Sequence, residues 1–170
     1  MTASQSVAFV SGFEGPWRID GIAAPRGESL APAARLAQLE GADAEGADGR
    51  WVLRGLAGAA AAGSAPLGRP EARVAALVAV RKSQAWRDMT AAERGSVLGE
   101  GSHELAMGGA HPTIARRLYR SHDPGEPFDL LGWFEHAPDD EGAFNELLAG
   151  LTASDEWAYV ERQVTIHLSR

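Results

Sequence analysis

A chain of 170 residues can bury the core of one compact domain or of two small halves packed together. Its formal net charge of -7 and pI near 5.2 argue against the clustered Lys and Arg surface on which phosphate binding rests, so nucleic acid is not an expected partner. The absence of cysteine excludes disulfides, thiolate metal sites and thiol nucleophiles, and leaves nitrogen and oxygen as the only protein ligands for a metal.

Met1 to Val10 has no basic segment leading into a long apolar run, and no later stretch approaches the ~18 apolar residues of a membrane span. This predicts a cytoplasmic protein with no membrane partner. Ser6 to Val10, Trp17 to Ile22 and Trp51 to Leu56 are predicted strands, Ala31 to Leu39 a helix, and Gly41 to Gly49 an acidic loop. From Ala57 to Pro70, Ala, Gly, Ser and Pro replace the periodic pattern, which predicts a linker. Beyond it, Ala75 to Arg81 is a β-branched apolar run suited to a buried strand. Thr90 with Glu93 forms a capping box that opens a helix running towards Gly99. Ile114 to Ser121 and Phe128 to Glu135 are predicted strands of a hairpin whose turn, His122 to Pro127, holds Asp, Pro and Gly.

From Asp139 or Asp140, Phe144, Leu147, Leu148 and Leu151 recur at helical spacing beside favourable negative charge. Last, Ala158, Val160, Val164, Ile166 and Leu168 alternate with Tyr159, Glu161, Gln163, Thr165 and His167, a strand with one buried face and Arg162 as the exception. The order β-α-β-β-α-β is that of a ferredoxin-like α+β unit over 71–170, preceded by a truncated ferredoxin-like half with its linker over 1–70. Together the two predict a ferredoxin-like α+β barrel.

The five histidines, His103, His111, His122, His136 and His167, lack the close paired spacings of a common zinc site. His111, His122, His136 and His167 suit loop, turn or surface positions, and His103 taken alone suits a structural or exposed one as well as a functional one. The glycine runs lack the Rossmann spacing and the Walker Lys-Ser/Thr, and no nucleophile elbow surrounds any serine. Arg116 and Arg117, adjacent on a strand, should point to opposite faces. Either one is buried and demands an anion or a set of acceptors, or both are solvated on a barrel rim.

Several pieces occur in order: Arg81-Lys82-Ser83 with Trp86, Ser102-His103, and Ile114-Ala115-Arg116-Arg117-Leu118-Tyr119. They continue with Gly125-Glu126-Pro127-Phe128-Asp129-Leu130-Leu131, Trp133-Phe134-Glu135, and Ser154-Asp155-Glu156-Trp157-Ala158-Tyr159-Val160-Glu161. This series, spanning Lys82 to Val164, resembles the chlorite dismutase family in its shorter, dimeric lineage. Weaker likeness continues through Gly27-Glu28-Ser29-Leu30 and Trp51-Val52-Leu53-Arg54-Gly55.

The resemblance implies a haem b enzyme, a chlorite O2-lyase that turns chlorite into chloride and dioxygen, working as a homodimer. It makes His103 the proximal iron ligand and Arg116 the distal arginine. Thirteen residues of straight helix would extend ~20 Å, too far for two groups facing one iron, and Gly108, Gly109 and Pro112 permit the turn that is needed. Glu156 takes the position that accepts a hydrogen bond from the proximal imidazole. Lys82 offers a cation to a haem propionate, and Trp86 packs near the macrocycle. Where the family carries an Arg-Tyr pair near a propionate, this chain has Ala61 and Ala62, which puts retention of the cofactor in question. The alternatives are a coprohaem decarboxylase-like enzyme, a haem-binding or haem-sensing protein without turnover, and an unrelated ferredoxin-like dimer.

Overall fold

A computed structural model of the chain describes residues 5–60, 63–98, 111–121 and 125–170. Eight strands close into a barrel in which every neighbouring pair runs antiparallel: β1 (Ser6–Gly12), β2 (Trp17–Arg26), β3 (Arg35–Glu40), β4 (Val52–Ala60), β5 (Val74–Lys82), β6 (Ala115–Arg120), β7 (Leu130–His136) and β8 (Val160–Ser169). The circuit is β1-β3-β2-β8-β5-β7-β6-β4, so each half supplies four strands in the order fourth, first, third, second. Helices among the described residues are few: α1 (Ala42–Glu45), α2 (Gln84–Asp88), α3 (Ala91–Leu98) and α4 (Glu141–Thr152), with 3-10 turns at Pro138–Asp140 and Asp155–Tyr159. No helix among the described residues is long and apolar enough to cross a membrane.

Alternation along the strands divides the apolar residues into two layers. Phe9, Trp17, Leu36, Leu53, Leu77, Tyr119, Trp133 and Ile166 fill the barrel. Phe9 stacks on Trp133 at 5.6 Å and meets Tyr119 edge-on at 5.1 Å, and Trp17 meets Trp133 at 5.4 Å. The barrel is therefore a packed core. Outside it, Ala76, Val78, Val80 and Phe134 face Phe144, Leu147 and Leu151 of α4, the apolar stripe of that helix.

The capping box forms as its residues require. Thr90 Oγ1 accepts from the Glu93 amide at 3.1 Å, and Glu93 Oε2 accepts from the Thr90 amide at 3.3 Å. Ala31 to Leu39, expected as a helix, instead supplies β3, which pairs with β1 from Gly12↔Arg35 to Val7↔Glu40 and sends Leu36 into the barrel with no exposure. Ladder bonds and that one buried leucine outweigh a weak helical preference. The acidic segment after β3 contains α1, and β4 takes the first four residues of the expected linker. β2 runs on to Arg26, and Pro25 sits where its register with β8 shifts, the position at which a residue without an amide hydrogen is tolerated. Asp140 stands at the N-cap of α4 without a side-chain cap bond, so its negative charge, rather than a capping bond, favours the helix start.

Candidate functional site

Alternation on β5 turns Val78 and Val80, and by continuation Lys82, to the outer face. The strand register then fixes what lies beside them. Gly132 of β7 stands between Val78 and Leu118, Phe134 between Ala76 and Arg116, and Leu130 between Val80 and Arg120. From Phe134 to Leu130 these rows cover about 13 Å of strand. Val78, Val80, Leu118, Gly132, Phe134 and Trp157 line a mostly apolar cavity there, with Arg117 and Glu156 as its charged members. A Cβ on Gly132 would come within 2.9 Å of the Phe134 ring. Glycine therefore keeps the floor of this slot flat.

Arg116, on the same face as Phe134, is 2% exposed, while Arg117 is half-buried and donates from Nε to the Gly58 carbonyl at 3.1 Å. The two do part to opposite faces, as neighbours on a strand must. Burial lowers the Arg116 pKa from so high a value that the guanidinium remains charged.

At the far end of β5, the Lys82 ammonium donates to Glu156 Oε1 at 2.6 Å, with both side chains buried, and lies 3.9 Å over the Trp86 ring. The Lys82 amide donates to Asp129 Oδ2 at 2.6 Å, which ties the strand end to the start of β7. Burial lowers the Lys82 pKa, against the opposing pull of Glu156. The folded state thus binds fewer protons than the unfolded chain just below the usual 10.5, so the Lys82 contribution to stability rises with pH there and levels off above it. A cavity of about 290 Å³ opens beside the pair, lined by Trp86, Arg87, Arg94 and Arg120 among others.

The structure brings Lys82, Trp86 and Glu156 together at one point and sets Arg116 further along the same sheet face. His103 lies outside the described residues, as do Ala61, Ala62 and His122. Lys82, assigned by the resemblance to a propionate, and Glu156, assigned to an imidazole, are ion-paired with each other here. Two expectations change. His136, expected at the surface, is 1% exposed, stacks on Phe144 at 5.3 Å, and places Nδ1 2.7 Å from the Ala137 carbonyl. Gln163 and Thr165, expected on an exposed face, are buried under Trp157, whose Nε1 donates to Gln163 Oε1 at 2.9 Å. Gly132 is the residue that sequence reasoning missed; a glycine inside an apolar strand is itself the signal of close approach. Among the described residues, no three His, Asp or Glu side chains cluster as a metal site.

No protein-family model matches the sequence, and no curated protein matches it. Solved structures do. A dimeric chlorite dismutase from Nitrobacter winogradskyi is 41% identical, with a TM-score of 0.83 over 96% of this chain and 99% of that one. Two substituted chlorite dismutases from Candidatus Nitrospira defluvii share the fold, at 12% and 14% identity with TM-scores of 0.62 and 0.60, each over 99% of this chain and over 92% and 93% of theirs.

Proposed function

Since the chain belongs to the chlorite dismutase family, we propose that it binds haem b and converts chlorite to chloride and dioxygen, as a chlorite O2-lyase. The observation that carries this reading is the buried Arg116 guanidinium on the same sheet face as an apolar, glycine-floored slot. A planar apolar macrocycle suits walls of Val78, Val80, Leu118 and Phe134, and the floor that a Cβ at Gly132 would obstruct. The apolar chemistry of these walls fits haem, while the space enclosed there, about 30 Å³, would have to widen to admit it. His103 would hold the iron, with Lys82, Trp86 and Glu156 at the haem edge. Bound haem would supply the redox-active iron at which chlorite is rearranged, with no external electron donor.

The rest is the work of the chain's own groups. Arg116 holds a fixed positive charge in a site of reduced dielectric, where an oxyanion is stabilised far more than at an exposed arginine. At 2% exposure that charge is largely shut off from bulk water. Glu156, partly neutralised by Lys82, can still accept a hydrogen bond through its remaining lone pairs and so orient a donor imidazole without a full buried negative charge. We read 1–70 and 71–170 as two ferredoxin-like halves, the first shortened. The repeated strand order supports this, as does the near absence of helix in the first half. A cytoplasmic homodimer completes the reading, the Nitrobacter winogradskyi relative being dimeric.

The test is haemin titration followed by an oxygen-electrode trace on chlorite. Arg116→Ala should keep haem uptake but bleach after fewer turnovers and release more hypochlorite to a chlorination trap, while Arg117→Ala, whose guanidinium is tied to the Gly58 carbonyl, stays close to wild type. Haem uptake with no oxygen evolved by the wild-type protein would reduce the function to haem binding. The reverse ranking of the two arginines would move the catalytic role to Arg117.

A further inference from the structure

The two halves of the barrel are unequally covered. Over the C-terminal half α4 buries Phe144, Leu147 and Leu151 against the sheet. In the N-terminal half, β1 and β2 are joined only by Phe13 to Pro16, and the β3–β4 connection carries only the four-residue α1. Val10 on β1, and Ala37 and Leu39 on β3, point outward and remain half-buried. A groove of about 800 Å³ lies over them, with Pro32 and Ala34 on its far side.

On the rim of that groove Phe13 is 92% exposed. Its position is held. Gly15, at φ +140, packs so tightly that a Cβ would land on the Leu36 carbonyl, and a Cβ at Gly49 would strike Ser11 and Val10. These contacts clamp the two loops beside the C-terminal end of β1 and leave the Phe13 ring standing clear. Glu14, Asp48 and Arg50 share the rim, so the patch carries both signs of charge.

We propose that this face is where two copies of the chain meet, each Phe13 seated in the groove of the other. A twofold contact requires one patch to be complementary to itself. Here the protruding ring and the apolar groove are the two complementary parts, and Arg50 of one copy can face Glu14 and Asp48 of the other. An aromatic anchor in an apolar pocket with a charged rim is the composition of a stable interface. The second copy thus supplies the covering layer that, among the described residues, the first half lacks. This rests on the homodimer proposed above and adds its location.

Light scattering tests it, together with a thiol reporter that the cysteine-free sequence makes clean. Wild-type protein should show twice the mass of one chain, and Phe13→Glu the mass of one, with unchanged circular dichroism and haemin uptake. Arg50→Glu should weaken the dimer, and adding Glu14→Arg should restore it. In Ala37→Cys, maleimide should react at least about tenfold faster once Phe13→Glu is added, because dissociation uncovers the groove. A dimer that survives Phe13→Glu, with the Ala37→Cys thiol reacting as fast as a free one, overturns the location and leaves the homodimer standing. A wild-type monomer at tens of micromolar overturns both, and leaves the face to some other partner.

Discussion

Lys82→Met should lower the unfolding free energy of the haem-free protein by about 3–5 kcal/mol, because it strands the buried Glu156 carboxylate without its countercharge. The pair is 2.6 Å apart, with both side chains under 5% exposed, so the stranded carboxylate would stay largely out of bulk water. Methionine has nearly the same length and fills the space beside Trp86, which leaves charge as the main thing removed. Two further results should accompany the loss. Lowering the pH should shrink it, since protonation neutralises the stranded carboxylate, and adding Glu156→Leu should recover much of it, since neither charge is then buried. Urea denaturation of the two single variants and the double variant measures the coupling. A loss below about 1 kcal/mol would show that the pair behaves as a solvated surface bridge.

His103→Ala should abolish the Soret signature of histidine-ligated haem, and added imidazole should restore it. None of the described histidines can take its place. His136 is buried against Phe144, with Nδ1 beside a backbone carbonyl, His167 is exposed on β8, and His111 lies in the loop before β6. Haemin titration of the variant, with and without imidazole, gives the comparison. An unchanged five-coordinate histidine spectrum in the variant would remove His103 as ligand.

Much of the C-terminal half was readable from sequence because several of its elements carry a local signal strong enough to survive folding. The period-two run of β8, the Thr90–Glu93 box and the stripe of Phe144, Leu147 and Leu151 all lie where their residues predict. β3 was misread because its signal is not local. Leu36 is buried by strands β1 and β2, and nothing within Ala31 to Leu39 announces that pairing. The site divides in the same way. That Arg116 and Arg117 must part to opposite faces follows from strand geometry alone, and the structure adds which of them is buried. The bond between Lys82 and Glu156 spans 74 positions, and no spacing rule reaches that far. The resemblance brought both residues to the site but gave each a different partner. His136 was misplaced because a histidine at a strand end looks exposed until the helix that covers it, α4, is in place.

Lys82 is the only lysine in the chain, and its amine is enclosed by Glu156 and Trp86. Side-chain acylation is therefore confined to a single amine that reagent reaches only when this corner opens. Under reagent excess and fast reclosing, the labelling rate divided by that of a free lysine gives the opening equilibrium directly, in the manner of amide hydrogen exchange. Haem that packs against this corner should slow the labelling in proportion to its binding, whether or not any chlorite is turned over. The protein thus carries a one-site chemical gauge of cofactor grip that needs no added probe group and no catalytic assay.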